Sequence, residues 1–242
     1  MLAPPPAGLL DGASLFLDFD GTLVELEDRP DLVHADAPLI ALVRALSDLL
    51  DERLAIVTGR ASGHIAELFG DVALTIGGSH GVEFRWPDGR TAQPELPATL
   101  DAVLAEMHAF AAERNDVIVE SKPFGAGLHY RMAPRHEADA RALAERLASE
   151  HSMHLQPGKM MIELRAAAGD KGSAIRRLMQ SEPFADTRPV FLGDDVTDED
   201  GFRAVAALGG AGILVGDPRA TAARYRLPGV AAVREWLTEA LA

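Results

Sequence analysis

Along the chain, short apolar runs alternate with longer stretches in which apolar residues recur at helical spacing, and this order limits the possible folds. Residues 15–19, 54–57 and 189–192 are short apolar runs with the length of buried strands. Stretches with apolar residues at helical spacing lie between and after them, for example at 38–50 and from 171 onward. Strands that alternate with helices are typical of a parallel sheet with helices on both faces. The sequence therefore predicts an α/β core.

The alternation is interrupted in the middle of the chain. Turn signatures at Pro87-Asp88-Gly89 and Pro157-Gly158 indicate hairpins, and helical patterns occur at about 99–113 and 136–150. This order predicts an inserted α+β cap with an antiparallel sheet. The predicted domains are a first core part at 1–84, a cap at 85–166 and a second core part at 167–242, with residues 1–12 expected to form a flexible tail.

Composition excludes several classes of function. The chain has 242 residues and no cysteine, which rules out disulfides, thiolate metal sites and thiol nucleophiles. It has no apolar run of bilayer length and no signal-peptide pattern at its start. The formal net charge of −14 argues against nucleic acid or an anionic membrane as partner. We expect a cytoplasmic monomer with a small-molecule substrate.

The first polar motif is Asp18-Phe19-Asp20-Gly21-Thr22, directly after an apolar run. Ligands of open α/β sheets bind beyond the carboxyl ends of the strands. Residues two apart in an extended chain point to the same side, so Asp18 and Asp20 are expected to face one site. Adjacent carboxylates repel, and a divalent cation relieves that repulsion. An isolated Asp-x-Asp is more typical of an acidic turn, but the flanking residues favour a functional site.

Three further motifs lie at predicted strand or helix ends. Thr58-Gly59-Arg60 offers a hydroxyl donor for a phosphoryl oxygen, although alone it is better explained as a turn. Gly169-Asp170-Lys171-Gly172 begins a helix, where bound phosphate or a solvated lysine explains Lys171 equally well. The segment 193–199 holds four carboxylates in six residues. Some of them could cap a helix, but their mutual repulsion favours a hard cation with oxygen ligands, such as Mg²⁺.

In this order the four motifs resemble those of the haloacid dehalogenase (HAD) superfamily of phosphohydrolases, which surround a Rossmann-like core. The resemblance implies that Asp18 attacks phosphorus and forms an aspartyl-phosphate. It implies that Asp20 protonates the leaving oxygen and then activates water. Thr58 and Lys171 would hold the phosphoryl group.

The same resemblance implies a magnesium site and further phosphate contacts. The ligands would be Asp18, the backbone carbonyl of Asp20 and Asp194, with Asp195 and Asp198 in support. Other substrate contacts near the phosphate are expected from Thr22, Gly59 and Arg60. A bound cation and local basic groups would offset the acidic surface at the point where phosphate binds.

The predicted cap strands have one apolar and one polar face. The polar face carries the side chains of Lys122, His129, Arg131, Lys159 and Glu163. From the pattern alone, an ordinary half-solvated sheet is slightly favoured. Recognition of a polyhydroxylated sugar is the alternative, because carboxylates accept from hydroxyls while lysine and arginine donate to them.

Over about residues 13–240 the chain is similar to the trehalose-6-phosphate phosphatase family. The similarity lies in the motifs 78–83, Lys122 with 129–131, 158–165 and 193–199. Two departures are Thr58, where many members have serine, and Ser79, where a larger residue is common. The role of His80 is open. The resemblance implies that the five cap residues contact the sugar of trehalose 6-phosphate, which is hydrolysed to trehalose and phosphate. The alternatives are a HAD phosphatase for sucrose, mannosylglycerate or glucosylglycerol phosphate, and a non-catalytic sugar-phosphate-binding module.

Overall fold

The structure, a computed structural model, describes residues 2–26, 32–95, 98–158 and 160–241. The chain divides into two compact units, one formed by Met1–Ala92 with Gly169–Ala242 and the other by Gln93–Ala168. The first contains a large, mainly parallel sheet and the second a separate antiparallel sheet. The predicted fold class, an α/β core with an inserted α+β unit, is confirmed.

The elements of the described residues follow in chain order. The strands are β1 (Ala13–Leu17), β2 (Leu54–Val57), β3 (Thr75–Gly78), β4 (Glu83–Arg85), β5 (Thr91–Ala92), β6 (Ile118–Lys122), β7 (Gly125–His129), β8 (His154–Gly158), β9 (Met161–Arg165), β10 (Arg188–Gly193), β11 (Ala211–Val215) and β12 (Tyr225–Leu227). The helices are α1 (Ala37–Leu49), α2 (Ser62–Phe69), α3 (Leu100–Ala112), α4 (Glu137–Glu150), α5 (Lys171–Leu178), α6 (Glu199–Ala207) and α7 (Val230–Glu239).

The large sheet has the strand order β12-β11-β10-β1-β2-β3-β4-β5. The first six strands in this order are mutually parallel, and β4 and β5 form an antiparallel hairpin at the edge. That hairpin belongs to the core because β4 pairs with β3, with Phe84 opposite Gly77. The structural boundaries therefore fall at 92/93 and 168/169, and differ from the predicted ones at 84/85 and 166/167.

Strand β1 lies in the middle of this sheet, and all five of its residues are buried. Leu15 and Leu17 pack in the same apolar cluster as residues of α1 and α7, whereas Phe16 packs with residues of α5 and α6. A strand covered on both faces needs a continuous apolar sequence. Each buried leucine contributes about 1.5–3 kcal/mol relative to an exposed one, so β1 is a firm support for the residue that follows it.

The expectation of a flexible tail at residues 1–12 is wrong for most of that segment. The backbone N–H of Arg226 in β12 donates to the carbonyl of Ala3 at 3.0 Å. Pro5 is buried, and Leu10 joins the apolar cluster beside β1. The segment is ordered because it supplies an acceptor to the edge strand and one apolar side chain to the core, two features that a proline-rich composition does not reveal.

The second unit has its own sheet and its own core. Its strand order is β6-β7-β9-β8, all antiparallel. Helices α3 and α4 share one apolar cluster with Leu128, Ile162 and Leu164 of the sheet. None of the helices in the described part of the chain combines the length and the apolar composition needed to cross a membrane.

Candidate active site

Three predicted site residues follow neighbouring parallel strands of the core. Asp18 comes directly after β1, Thr58 directly after β2, and Asp194 directly after β10. Since β1 lies between the other two strands, their carboxyl ends meet at one edge of the sheet. Asp18 lies one residue beyond the end of β1, and its N–H donates to the carbonyl of Leu192 in β10 at 3.0 Å. This bond fixes the start of the loop after β1 to the sheet.

Asp18 is paired with Lys171, the first residue of α5. The Nζ of Lys171 lies 2.7 Å from the Oδ1 of Asp18 and 2.6 Å from the Oδ1 of Asp198. The lysine is 3% exposed, Asp18 is 4% exposed and Asp198 is fully buried. The lysine thus bridges two carboxylates in a site nearly closed to water, where charge interactions are stronger than at the surface.

Burial and charge shift the pKa values of this group. Burial raises the pKa of Asp18 well above its usual range, with the negative charges of Asp198 and Asp194 adding to the rise and Lys171 opposing it. Burial alone would lower the pKa of Lys171, but the two carboxylates outweigh it and raise that pKa, so the lysine stays charged. Burial and the charge of Asp198 raise the pKa of Asp194 to about 6.

A set of three carboxylates could hold a cation at this position. Oxygen atoms of Asp18, Asp194 and Asp198 lie within 4.8 Å of one another. Gly21 has a positive φ of 75°, and a side chain there would collide with the carboxylate of Asp194. A hard divalent cation with oxygen ligands fits this donor set and would relieve the repulsion that adds to the rise in the pKa values of Asp18 and Asp194. Magnesium is the ion expected from the sequence, and the residues present fit it.

The carboxylate of Asp20 does not belong to that set. It accepts from the Nε of Arg60 at 2.7 Å and from its Nη2 at 2.8 Å, in a bidentate pair. The magnesium ligand expected from Asp20 is its backbone carbonyl and not its side chain, so this pairing leaves that prediction untested. Because Arg60 lies in the loop after β2, the pair connects the first two motifs.

The loop after β2 places a hydroxyl and a glycine at the same sheet edge. Thr58 is 1% exposed, and its Oγ1 accepts from the N–H of Arg60 at 3.2 Å, which leaves its O–H able to donate to a ligand. A side chain at Gly59 would meet the ring of His80. Thr22 is fully buried, and among the described residues its Oγ1 has no hydrogen-bond partner.

The four carboxylates of 193–199 do not act together, contrary to the simplest interpretation of the motif. Asp194 and Asp198 join Asp18, while the Asp195 side chain is exposed. Glu199 pairs with Arg219 and accepts from the N–H of Ala222 at 2.8 Å. Burial alone would raise the pKa of Glu199, but hydrogen bonds from Ala222, Thr221 and Arg219 outweigh it and lower that pKa.

Sequence reasoning missed two supporting residues, Arg219 and Glu83. Arg219 donates to the backbone around Asp194, and no periodicity or motif marked it. Glu83 accepts from the N–H and the hydroxyl of Ser62 and from the hydroxyl of Ser79. Its place in the segment 78–83 was noted, but nothing in the sequence indicated which groups it would bind.

The predicted sugar-contacting residues lie in the second unit. The Nζ of Lys122 donates to the Oε2 of Glu163 at 2.8 Å, and the Nε2 of His129 lies 2.9 Å from the Oε2 of Glu120. Arg131 follows the end of β7 and is exposed. Lys159 lies outside the described residues. Lys122, His129 and Glu163 thus occupy one polar face of the small sheet, opposite the apolar cluster.

Comparison with known proteins places these observations in a family. A family model described as trehalose-phosphatase matches residues 16–231. The chain belongs to the trehalose-phosphatase family. It is similar to trehalose-6-phosphate phosphatase of Escherichia coli strain K12, at 37% identity over 92% of this chain and 84% of that protein.

Solved structures related to the trehalose-phosphatase family fold in the same way. A crystal structure of a trehalose-6-phosphate phosphatase related protein is 27% identical, with a TM-score of 0.78, covering 93% of this chain and 95% of that one. A haloacid dehalogenase-like hydrolase from B. subtilis shares the fold, with 14% identity and a TM-score of 0.65, covering 93% of this chain and 99% of that one. The predicted resemblance to the trehalose-phosphatase family is thereby confirmed, and the fold is shared with a haloacid dehalogenase-like hydrolase.

Proposed function

We propose that this chain hydrolyses trehalose 6-phosphate to trehalose and inorganic phosphate. The observation that carries the proposal is the buried pair of Asp18 and Lys171 beside two further carboxylates at the end of the central strand. This group supplies a nucleophile, a fixed cation and oxygen ligands, which phosphoryl transfer requires. The E. coli relative at 37% identity, named for trehalose 6-phosphate, supports the choice of substrate.

In the first step, a carboxylate oxygen of Asp18 attacks phosphorus and the bond from phosphorus to the sugar oxygen breaks. The product on the protein is an aspartyl-phosphate. Lys171 stays charged beside the reacting oxygens, and the Thr58 hydroxyl donates to the phosphoryl group, so both stabilise the charge that develops there. Thr22, Gly59 and Arg60 complete the contacts with the phosphoryl group.

Proton transfer is assigned to Asp20. It donates a proton to the leaving sugar oxygen, and then accepts one from the water that attacks the aspartyl-phosphate, which regenerates Asp18 and releases phosphate. Its bidentate pair with Arg60 holds the carboxylate in place before substrate arrives. Because both oxygens of Asp20 accept from Arg60, substrate must displace part of that pair, and Asp20 must take up a proton from solvent, before it can donate to the sugar oxygen.

Magnesium would be held by Asp18 and Asp194, together with the carbonyl of Asp20, while Asp198 and Asp195 support the site. When bound, it supplies Lewis-acid polarisation of the phosphoryl oxygens and positive charge that offsets the carboxylates. The chain itself contributes the burial, the fixed lysine and the spacing of the oxygen donors.

Sugar recognition is assigned to the polar face of the small sheet. Glu163 is 7% exposed and already bound by Lys122, so this pair has a defined geometry for accepting and donating sugar hydroxyl hydrogen bonds. His129, Arg131 and Lys159 are the further proposed contacts. Substituting Glu163 should raise KM more than it lowers kcat, because Glu163 is proposed to bind sugar hydroxyls and not the reacting phosphoryl group.

The substrate assignment is tested with a panel of phosphate esters. Purified protein with saturating Mg²⁺ is assayed for phosphate release from trehalose 6-phosphate and from the phosphates of sucrose, mannosylglycerate and glucosylglycerol. We expect kcat/KM for trehalose 6-phosphate to exceed each of the others by about 100-fold, the equivalent of two or three lost hydrogen bonds. Equal values across the panel would reject the substrate, and no release from any ester would favour a non-catalytic binding module.

The nucleophile is tested with Asp18→Asn. This change keeps the shape of the side chain, and Lys171 retains Asp198 at 2.6 Å, so the fold should survive. Turnover should fall by a factor on the order of 10³ or more, because the covalent step is lost. Asp48→Asn, at an exposed position of α1, is the matched control and should retain wild-type turnover. If Asp18→Asn turned over substrate at the wild-type rate, Asp18 would not be the nucleophile.

A further inference from the structure

The connection between β11 and β12 carries an arginine, Arg219, that reaches residues 194–199, which we call the carboxylate loop. Arg219 donates through Nη2 to the backbone carbonyl of Asp195 at 2.7 Å and to that of Asp194 at 3.4 Å. Its Nη1 pairs with the Oε1 of Glu199 and also donates to the carbonyl of Ala220 at 3.2 Å. One guanidinium therefore connects three points on the segment 194–199 with its own loop.

Glu199 anchors this arginine from the protein side. It is the first residue of α6 and is 9% exposed, and its second oxygen accepts from the N–H of Ala222 at 2.8 Å. Both of its oxygens are thus bound to the β11–β12 connection. The planar guanidinium has the fork geometry that serves a carboxylate and neighbouring carbonyls at once.

The carboxylate loop is held on its other side as well. The N–H of Asp195 donates to the Oδ2 of Asp198 at 2.9 Å. Its carbonyl is bound by Arg219, so both peptide groups of Asp195 have fixed orientations. The peptide that joins Asp194 to Asp195 is thus held at both of its polar groups, since Arg219 also donates to the carbonyl of Asp194 at 3.4 Å, and the backbone at Asp194 has a fixed orientation.

Fixing this loop opposes a real force. Asp18, Asp194 and Asp198 have oxygens within 4.8 Å of one another, with one lysine between two of them. Like charges at this distance repel, and Asp194, which is only partly buried and is followed by the exposed Asp195 and Val196, is the member of the set that could move. Contacts that hold Asp194 in place before a cation binds reduce the conformational entropy that is lost on binding, and so strengthen binding.

We propose that Arg219, held by Glu199, is a positioning residue for the magnesium site, through the backbone of Asp194 and Asp195. The inference rests on the proposed magnesium-dependent function and adds to it a residue that touches neither the ion nor the substrate. Groups that orient metal ligands in this way typically change metal affinity by about 10- to 100-fold when substituted.

The test is the magnesium affinity of Arg219→Gln and Arg219→Lys, measured by titration calorimetry with MgCl₂ alone. The matched control is Arg226→Gln. Arg226 also donates from β12 to a backbone carbonyl, that of Gly216 at 2.6 Å, but it does not reach the carboxylate loop. Thermal unfolding without magnesium shows how far each variant loses general stability.

We expect Arg219→Gln to weaken Mg²⁺ binding about tenfold or more, while Arg226→Gln stays within about twofold of wild type. Arg219→Lys should lie between them, because an ammonium group replaces one of the bonds but not the fork. At saturating Mg²⁺ the kcat of Arg219→Gln should approach the wild-type value, with a higher magnesium concentration for half-activation.

Three results would overturn the inference. Wild-type affinity in Arg219→Gln, or an equal loss in Arg226→Gln, would mean that Arg219 only ties two segments together. If the wild-type protein itself bound no magnesium in the millimolar range, the magnesium site and the positioning role would both be rejected. Binding by wild type that Arg219→Gln retains would reject the positioning role alone. The calorimetric arm separates these outcomes from any failure of the substrate assignment.

Discussion

Asp194 is the residue whose chemistry makes the clearest prediction about pH. Burial and the charge of Asp198 raise its pKa to about 6, and Asp18 is raised for the same reasons. A cation needs these carboxylates ionised, so protons compete with it. Magnesium affinity should fall about tenfold between about pH 7 and pH 5, since a group of pKa 6 is mostly ionised at the first and mostly protonated at the second.

The measurement is titration with MgCl₂ across that pH range. Asp194→Asn serves as the control, because it removes one of the two carboxylates whose pKa values are raised: its binding should be weak throughout and should depend less on pH than that of wild type. An affinity in the wild-type protein that does not change with pH would show that Asp194 is ionised in the metal-free site over the whole range.

At this scale the sequence predicted which residues would meet, but not how each would be used. Asp18, Lys171 and Asp194 come together because each directly follows a strand or begins a helix, and strand order alone fixes those points. The direction of a side chain within a turn is another matter. The side chain of Asp20 pairs with Arg60, and that of Glu199 pairs with Arg219, 20 residues further along the chain. Such pairings depend on where loops meet in space.

The elements around the loop after β2 are held together by Glu83 at the start of β4. It accepts from the N–H of Ser62 at 2.9 Å, from the hydroxyl of Ser62 at 2.6 Å and from the hydroxyl of Ser79 at 2.8 Å. Ser79 and His80 have φ values of 49° and 57°, in the left-handed region. Each such residue costs of order 1–3 kcal/mol unless its surroundings favour it. Glu83 is one of those surroundings.

We therefore expect Glu83→Gln to lower the free energy of unfolding by about 1–3 kcal/mol, because an amide cannot accept all three bonds. Urea denaturation measures the change. Glu67→Gln, at an exposed position of α2, is the matched control and should stay within about 0.5 kcal/mol of wild type. If the two variants were equally stable, Glu83 would not be holding these elements.

The elements themselves were largely predictable, and the exceptions have a common cause. Helix α4 was expected at about 136–150 and spans Glu137–Glu150, because its apolar period is local information. By contrast, no pattern indicated β12, and Ser62, a residue type that commonly caps a helix, is the first residue of α2 and donates its hydroxyl to Glu83 instead. A short edge strand and a capping interaction depend on partners far away in the sequence, which a periodic pattern does not contain.

The division into two units is a property of the whole molecule that composition alone could not locate. Each unit has its own apolar cluster. The interruption of the α/β pattern in the sequence indicated that a second unit exists, but not where it begins. The predicted boundary was at 84/85 and the observed one is at 92/93. They differ because the hairpin of β4 and β5 could extend either sheet, and the pairing of β4 with β3 places it in the large one. Sequence patterning identifies hairpins but does not identify the sheet that they join.

The net charge of the whole chain makes a prediction that no single residue carries. The formal charge is −14, from 37 acidic and 23 basic residues, and the proposed substrate is a phosphate dianion at neutral pH. The overall field repels such a substrate, while Lys171 and Arg60 act only at short range. Added salt shortens the Debye length from about 20 Å at low ionic strength to about 7 Å near 0.2 M, which weakens the long-range repulsion first.

We therefore expect kcat/KM for trehalose 6-phosphate to rise about two- to fivefold over that range of NaCl at saturating Mg²⁺, mainly through a lower KM. Steady-state kinetics at a series of salt concentrations gives the slope, and glycerol at equal osmolality controls for effects of solute. A fall in kcat/KM with salt would mean that the local positive charge of the site outweighs the acidic surface even at long range. Because Lys171 is almost completely buried and neutralised by two carboxylates, the rise is the result that the structure favours.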